Sequence, residues 1–236
     1  GGLVEVVPTA HYMMGGGVFD VDCRTELAGL YAAGEDTGGV HGANRLGGNG
    51  VANSTVFGGI AGQSMAHWAR SCRGHREPDR ATIERSIAAH EAPFALTAGD
   101  LEPIRDALFE CMWDDVGILR NAQGLERAAE RLRELDARLA RTGVAAGDRA
   151  FHLGWHDWLN LRSLISVSRV VAAAALARED SRGAHFREDH PGTGNLAQSS
   201  YTVAYWHDGA FQIDREAVRF TRVQPGHSLL VPEAGS

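Results

Sequence analysis

Between residues 100 and 177 apolar side chains recur every three or four positions. Leu125, Ala128, Leu132, Leu135 and Leu139 form one such seam, a spacing that puts all five on one face of a helix, and Gly143 closes it. Leu161, Leu164, Ser168, Val171 and Ala175 repeat the rhythm and predict another long helix. Asp100 is placed to cap an earlier one, with Glu102 and Pro103 in its first turn and Ile104, Leu108, Cys111 and Met112 facing inward. Gly117 ends it. Ile83 and Ile87 mark a shorter helix that Pro93 stops. Glu126, Arg127, Glu130 and Arg133 read as a solvated face. Three amphipathic helices with short connections predict an antiparallel bundle.

The flanks have other rhythms. Residues 1 to 62 are glycine-rich, with short apolar runs at Leu3–Val7, Val18–Val21 and Leu30–Ala33 that read as strands. From Asn49 the pattern turns helical, with Val51, Phe57, Ile60, Ala61 and Met65 as the apolar side. Gly58, Gly59 and Gly62 interrupt it at about 1 kcal/mol each against alanine, and close packing against a sheet is the expected reason. In the tail, Tyr201–Trp206 alternates like a strand and Asp208-Gly209 signals a hairpin turn. Phe211–Asp214 is placed to pair back, and Val218–Val223 reads as a further strand. The class is α+β, with segments at 1–75, 76–184 and 185–236.

Composition narrows the function. The 44% hydrophobic and 22% charged content is ordinary for a globular chain. A net charge of -7 argues against a nucleic-acid binder, which carries a basic stripe. All 23 basic residues are arginine, which reads as compositional bias. Cys23, Cys72 and Cys111 lack CxxC spacing and fit a reducing compartment. No run approaches the roughly 18 apolar residues of a membrane span, and Gly1-Gly2-Leu3 begins nothing like a signal peptide, so the expected location is cytoplasmic. GxSxG, HExxH and Walker patterns are missing from the sequence. His152 and His156 have i, i+4 spacing, but without a third ligand in register no metal is assigned.

The candidate chemistry lies in two glycine-bound segments. Pro8–Gly16 carries His11, and His41-Gly42-Ala43-Asn44-Arg45-Leu46-Gly47-Gly48-Asn49 carries His41 and Arg45. Glycine lets backbone approach a ligand closely, and a guanidinium offers a bidentate fork to a carboxylate. Met13 and Met14 read as wall or core. A third segment, Arg178–Pro191, clusters Arg178, Arg182, His185 and Arg187, and reads as structural.

HYMMGG at 11–16, GLYAAGE at 29–35, HGANRLGGN at 41–49 and the RxDSRGAHxRxDxP run at 178–191 together resemble the succinate dehydrogenase/fumarate reductase flavoprotein family, which includes L-aspartate oxidase. The resemblance implies that the first segment is the remnant of an FAD-binding α/β domain, ahead of the helical bundle and a small hairpin region. It implies FAD as cofactor and a dicarboxylate as substrate. His11 would contact one carboxylate and Arg45 would clamp the other. His41 would either touch substrate or orient Arg45. Glu35 would accept ribityl hydroxyls of FAD, or is a turn carboxylate. Asn49, Gly50 and Val51 would open a helix toward the flavin. The implied partners are an N-terminal FAD-binding chain or segment and an iron–sulfur subunit, which would place the protein at the periphery of a membrane.

The match is incomplete. The family's nucleotide-binding GxGxxG start and its capping domain do not occur in the sequence, so the expectation is the C-terminal part of a larger or split flavoprotein, inactive alone. Gly50-Val51-Ala52-Asn53 stands where the family commonly has Ser-Leu-Leu-Asp or Ser-Leu-Leu-Glu. An L-aspartate oxidase and a non-catalytic helical interaction module are the competing readings.

Overall fold

The computed structural model describes residues 2–4, 11–72, 74, 77–208 and 210–227. The chain divides into two compact units, Gly1–Glu77 and Pro78–Ser236.

In the first unit, a run of turns leads into one long helix, α1 (Asn49–Ser71). The expected strands do not form among the described residues. Val18–Val21 forms no bridge, Leu30–Ala33 contributes one isolated bridge, Tyr31 to Arg24, and residues 5–7 of the first run lie outside the described set. A strand needs a neighbour to pair with and a face to bury. Val18, Val21 and Leu30 have neither and remain exposed. Of the apolar side of α1, Ala61 is buried and Phe57 and Ile60 are half-buried, whereas Val51 and Met65 are exposed. Side chains added at Gly58, Gly59 and Gly62 would meet nothing within 4 Å, so within this unit they serve no close packing.

The second unit has its own core. Helices α2 (Arg80–Glu91), α3 (Glu102–Asp114), α4 (Ala122–Leu139) and α5 (Leu153–Ala177) follow in order. Helices α3, α4 and α5 share one apolar cluster. All five seam residues of α4 are buried, joined by Ile104, Leu108 and Cys111 of α3. The N-cap of α3 is Leu101 and not the expected Asp100; Asp100 lies one residue earlier, where its carboxylate accepts the Glu102 N–H at 3.0 Å. On α5 the buried stripe is Trp158, Leu161, Ile165, Ser168, Ala172 and Ala175. Leu164, expected inside, is exposed. Helix α5 has apolar residues on several faces, and by length and composition it is the one helix among the described residues that passes for a membrane span. The Trp158 indole N–H donates to the carbonyls of Leu139 and Thr142 and so ties the end of α4 to α5. His152 caps α5 by accepting the Trp155 N–H at Nδ1, while its Nε2 meets the Ala145 carbonyl. Both ring nitrogens of this histidine are therefore engaged within the fold.

Two short strands, β1 (Leu119–Arg120) and β2 (Phe186–Arg187), pair in parallel. The hairpin β3 (Ser200–His207) and β4 (Ala210–Ala217) pairs antiparallel in the expected register about the turn. Asp208 takes the left-handed conformation there (φ 49°), and Gly209 lies outside the described residues. Val218–Val223 forms no strand.

The arginine-rich run at 178–191 locks these pieces together. The Arg187 side chain is 1% exposed. Its Nε and Nη2 meet both Asp189 oxygens at 2.8 Å, and its Nη1 donates to the carbonyls of Ala175, Leu176 and Arg178. One fork thus satisfies the carbonyl end of α5, a role for cationic side chains that the helix dipole favours. Arg178 and Arg182 share Asp180, and Arg178 also donates to the Ser200 carbonyl of the hairpin.

Candidate active site

The glycine-bound segments of the first unit converge on one aromatic ring. Tyr12 sits between His11 and the methionines, and the Arg45 guanidinium carbon lies 4.6 Å from its ring centroid. The His41 imidazole meets the same ring edge-on, with centroids 5.3 Å apart. Asn53, one turn into α1 and 5% exposed, brings its amide nitrogen to the Tyr12 hydroxyl at 3.3 Å, the Gly34 carbonyl at 3.2 Å and His41 Nε2 at 3.2 Å. The Gly34 carbonyl can only accept, so it fixes which end of the Asn53 amide faces it.

Two glycines make this convergence sterically possible. A Cβ on Gly50 would lie 2.8 Å from Tyr12 Cε2, and one on Gly16 would lie 2.1 Å from the Asp36 carbonyl oxygen. Neither position has room for a side chain without movement. At Gly16 the close approach lets the Gly17 N–H donate to the Asp36 carbonyl at 2.7 Å. Glu35 accepts the Met13 N–H at 2.8 Å, and Met14 Sδ accepts the Arg45 N–H at 2.9 Å. Both contacts hold the HYMMGG segment in place.

The electrostatics leave donors without acceptors. Arg45 is half-buried and has no carboxylate within ion-pair distance among the described residues; its Nη1 makes one long contact, 3.4 Å, to the Leu46 carbonyl. Among the described residues its buried Nε has no partner, and neither has Asn53 Oδ1. Helix α1 begins after Gly48 with no side-chain cap, so the amides of Gly50 and Val51 lie ahead of the i to i−4 ladder at the positive end of the dipole. A cation and free amides beside bare glycine backbone fit an anionic, electron-rich group. That donor set suits a flavin and a carboxylate substrate.

Of the residues singled out from the sequence, His41, Arg45, Asn49, Gly50 and Val51 lie on one loop and the helix it opens. Glu35 is joined to the Tyr12 neighbourhood through the Met13 amide. His11 is exposed, and among the described residues no hydrogen bond runs directly from it to Arg45. Tyr12 and Asn53 carry more of the geometry than sequence reasoning assigned them. An aromatic residue beside His11, and an amide where the family has a carboxylate, were the available signals.

Comparison with known proteins places these features. Residues 105–229, over half of the chain, match the model for the fumarate reductase flavoprotein C-term, and residues 3–51 match the FAD binding domain. The chain is 34% identical over 241 residues to the fumarate reductase flavoprotein subunit of Mycobacterium tuberculosis, covering 96% of this chain and 40% of the relative. It is 37% identical over 195 residues to L-aspartate oxidase 1 of Ralstonia nicotianae, covering 80% of this chain and 34% of the relative. The solved structure of Mycobacterium smegmatis Sdh1 in complex with UQ1 superposes with a TM-score of 0.83 at 34% identity, over 89% of this chain and 36% of that one. The chain therefore spans well under half the length of the relatives it matches, between 34% and 40%. It belongs to the succinate dehydrogenase/fumarate reductase flavoprotein family.

Proposed function

We propose that this chain supplies the carboxylate-gripping half of an FAD-dependent oxidoreductase that interconverts succinate and fumarate or a similar dicarboxylate. The observation that carries the reading is Arg45, half-buried over the Tyr12 ring with no acid partner among the described residues. A charge held that way is available to a ligand. Its fork binds one carboxylate bidentately, and His11 hydrogen-bonds the other, with His41 as a further substrate contact. FAD, when bound, supplies the hydride donor or acceptor. The free amides of Gly50 and Val51 would hold its electron-rich edge, and Glu35 and Asn49 are assigned to the same cofactor-binding set. Glycines at 42, 47 and 48 leave the backbone bare where a ligand approaches.

The rest of the flavin site is assigned to an N-terminal FAD-binding chain or segment. Leu46, Val51 and Val56 are exposed on the first unit, as an uncovered interface would be. An iron–sulfur subunit is the proposed electron partner, in keeping with a Mycobacterium tuberculosis relative that is named as the flavoprotein component of its enzyme. A cytoplasmic location at the membrane periphery follows from that partnership. The segmentation into a flavin-domain remnant at 1–75, a bundle at 76–184 and a tail at 185–236 belongs to the same proposal.

An amino-dicarboxylate substrate is the second reading, favoured by the 37% identity to L-aspartate oxidase 1. Steady-state assays of the full-length protein with succinate, fumarate and L-aspartate separate the two. Turnover of succinate or fumarate is expected, and this chain alone is expected to be colourless and inactive. Turnover of L-aspartate alone moves the assignment to the second reading. A yellow, fumarate-reducing preparation of the isolated chain would overturn the half-site proposal.

A further inference from the structure

We propose that Tyr12 is a positioning residue: its ring fixes the direction of the Arg45 guanidinium, and Asn53 pins the ring. The proposal rests on the dicarboxylate reading above and names what aims its principal cation.

An arginine needs something to hold it. Elsewhere in the chain carboxylates do this, as Asp189 does for Arg187 and Asp180 for Arg178 and Arg182. A carboxylate at Arg45 would neutralise the charge a substrate requires. The structure uses a neutral surface instead. The guanidinium carbon stands 4.6 Å from the Tyr12 centroid, within the range where the ring quadrupole attracts a cation. The ring accepts none of the guanidinium hydrogen bonds, and Nη1 makes one long contact to the Leu46 carbonyl, so the N–H fork is left for a planar carboxylate.

The ring is itself constrained on three sides. The Asn53 amide reaches the Tyr12 hydroxyl, His41 packs against the ring edge, and Gly50 leaves no more room than the ring requires. The Asn53 amide that meets the Tyr12 hydroxyl also meets His41 Nε2. A movement of Tyr12 therefore displaces Arg45 and His41 together. Asn53 Oδ1 accepts from none of these groups and is buried.

The test uses the full-length holoenzyme and malonate, a dicarboxylate with no adjacent carbon pair to dehydrogenate. Binding is read from the flavin difference spectrum, so the result does not depend on turnover. Tyr12→Leu is expected to raise the malonate Kd about three- to thirtyfold. Tyr12→Phe, which keeps the ring, is expected to stay within roughly threefold. In an Arg45→Met background, Tyr12→Leu is expected to have almost no further effect, because its partner is gone. A series of progressively fluorinated phenylalanines at position 12 keeps the shape while emptying the ring face, and the Kd is expected to climb with each fluorine. That series also decides the matter if Tyr12→Leu fails to retain flavin.

Equal loss in both Arg45 backgrounds would mark Tyr12 as a general packing residue and overturn the proposal. So would a flat fluorination series. If the wild-type holoenzyme itself ignores malonate, the dicarboxylate reading fails first, and the variants need not be consulted.

Discussion

Replacing Arg187 with Met is the most demanding test of how the second unit is held together. The substitution keeps an unbranched stem and removes every polar contact of the side chain. Three carbonyls near the end of α5, those of Ala175, Leu176 and Arg178, lose a donor at 3.0–3.1 Å. Asp189 loses both of its 2.8 Å bonds from the fork and keeps the Ala122 N–H. Because the Asp189 side chain is 31% exposed, water compensates part of its loss. The carbonyls facing the 1% exposed guanidinium have less recourse. An unsatisfied buried polar group costs about 1–3 kcal/mol, and methionine returns some apolar burial. A net destabilisation of about 3–5 kcal/mol is expected, in line with breaking a buried ion pair by removing one partner.

The assay is urea denaturation followed by far-ultraviolet circular dichroism, with Arg187→Lys as companion. Lysine keeps the charge but cannot serve a carboxylate and three carbonyls at once, so an intermediate loss is expected. The Arg187 guanidinium holds the Asp189 carboxyl well below the usual carboxylate range. A depressed carboxyl contributes stability that is present above about pH 4 and lost as pH falls further. The gap between wild type and Arg187→Met should therefore narrow in acid. A loss below about 1 kcal/mol at neutral pH, against the 3–5 expected for a broken buried pair, would refute the view that this fork holds α5 to β2. A gap that is constant through the acid range would refute its electrostatic part.

Two further outcomes are expected. Burial lowers the affinity of His185 for a proton, and its ring meets Arg120 Nη1 at 2.8 Å and the Arg178 carbonyl at 3.3 Å, with Arg187 also nearby in charge. The unfolded chain then binds the extra proton more readily, so stability falls as pH drops through about 6.5; His185→Gln should flatten that slope in denaturation curves taken between pH 5 and 7. Gly50→Ala places a methyl group against Tyr12 Cε2, and the displaced ring should weaken malonate binding by the full-length holoenzyme about threefold to tenfold, an expectation that unchanged affinity would defeat.

How much of this was legible depended on whether a residue's partner lay close in the sequence pattern. The α4 seam was readable because its five inward positions are apolar and most of the intervening ones are charged. On α5 the same rhythm placed Leu161, Ser168 and Ala175 correctly and misled at Leu164. Leu164, Val167 and Val171 are as apolar as Ile165 and Ala172, so periodicity alone could not choose between two neighbouring stripes, and packing against α4 chose. The strand readings at 18–21 and 30–33 failed for a different reason. Strand propensity describes fitness for a sheet, and these runs have no sheet in the described residues. The hairpin succeeded because both of its strands and its turn are contiguous. At the candidate site, His41, Arg45 and Glu35 stood out by residue type and glycine context. Tyr12 and Asn53 did not, because their roles exist only once segments 41 residues apart meet.

The arginines show why residue type alone underdetermines function. Arg187 and Arg45 are both drawn out of solvent, yet one is surrounded by acceptors and the other by an aromatic face. With Asp189 and three carbonyls, Arg187 has its donors committed, and any ligand would have to break existing bonds to reach it. Among the described residues Arg45 has no acid within ion-pair distance, its buried Nε has no partner, and its Nη1 makes one long contact to Leu46. Desolvating a cation without an acid is costly, and a fold that only needed packing at this point would place an apolar side chain there. The cost is recovered when an anion arrives, since the interaction then forms with the fork already oriented and largely dry. By that reasoning Arg45 is the functional candidate, since its donors are left open beside an aromatic ring, and the uncapped start of α1 lies on the same loop.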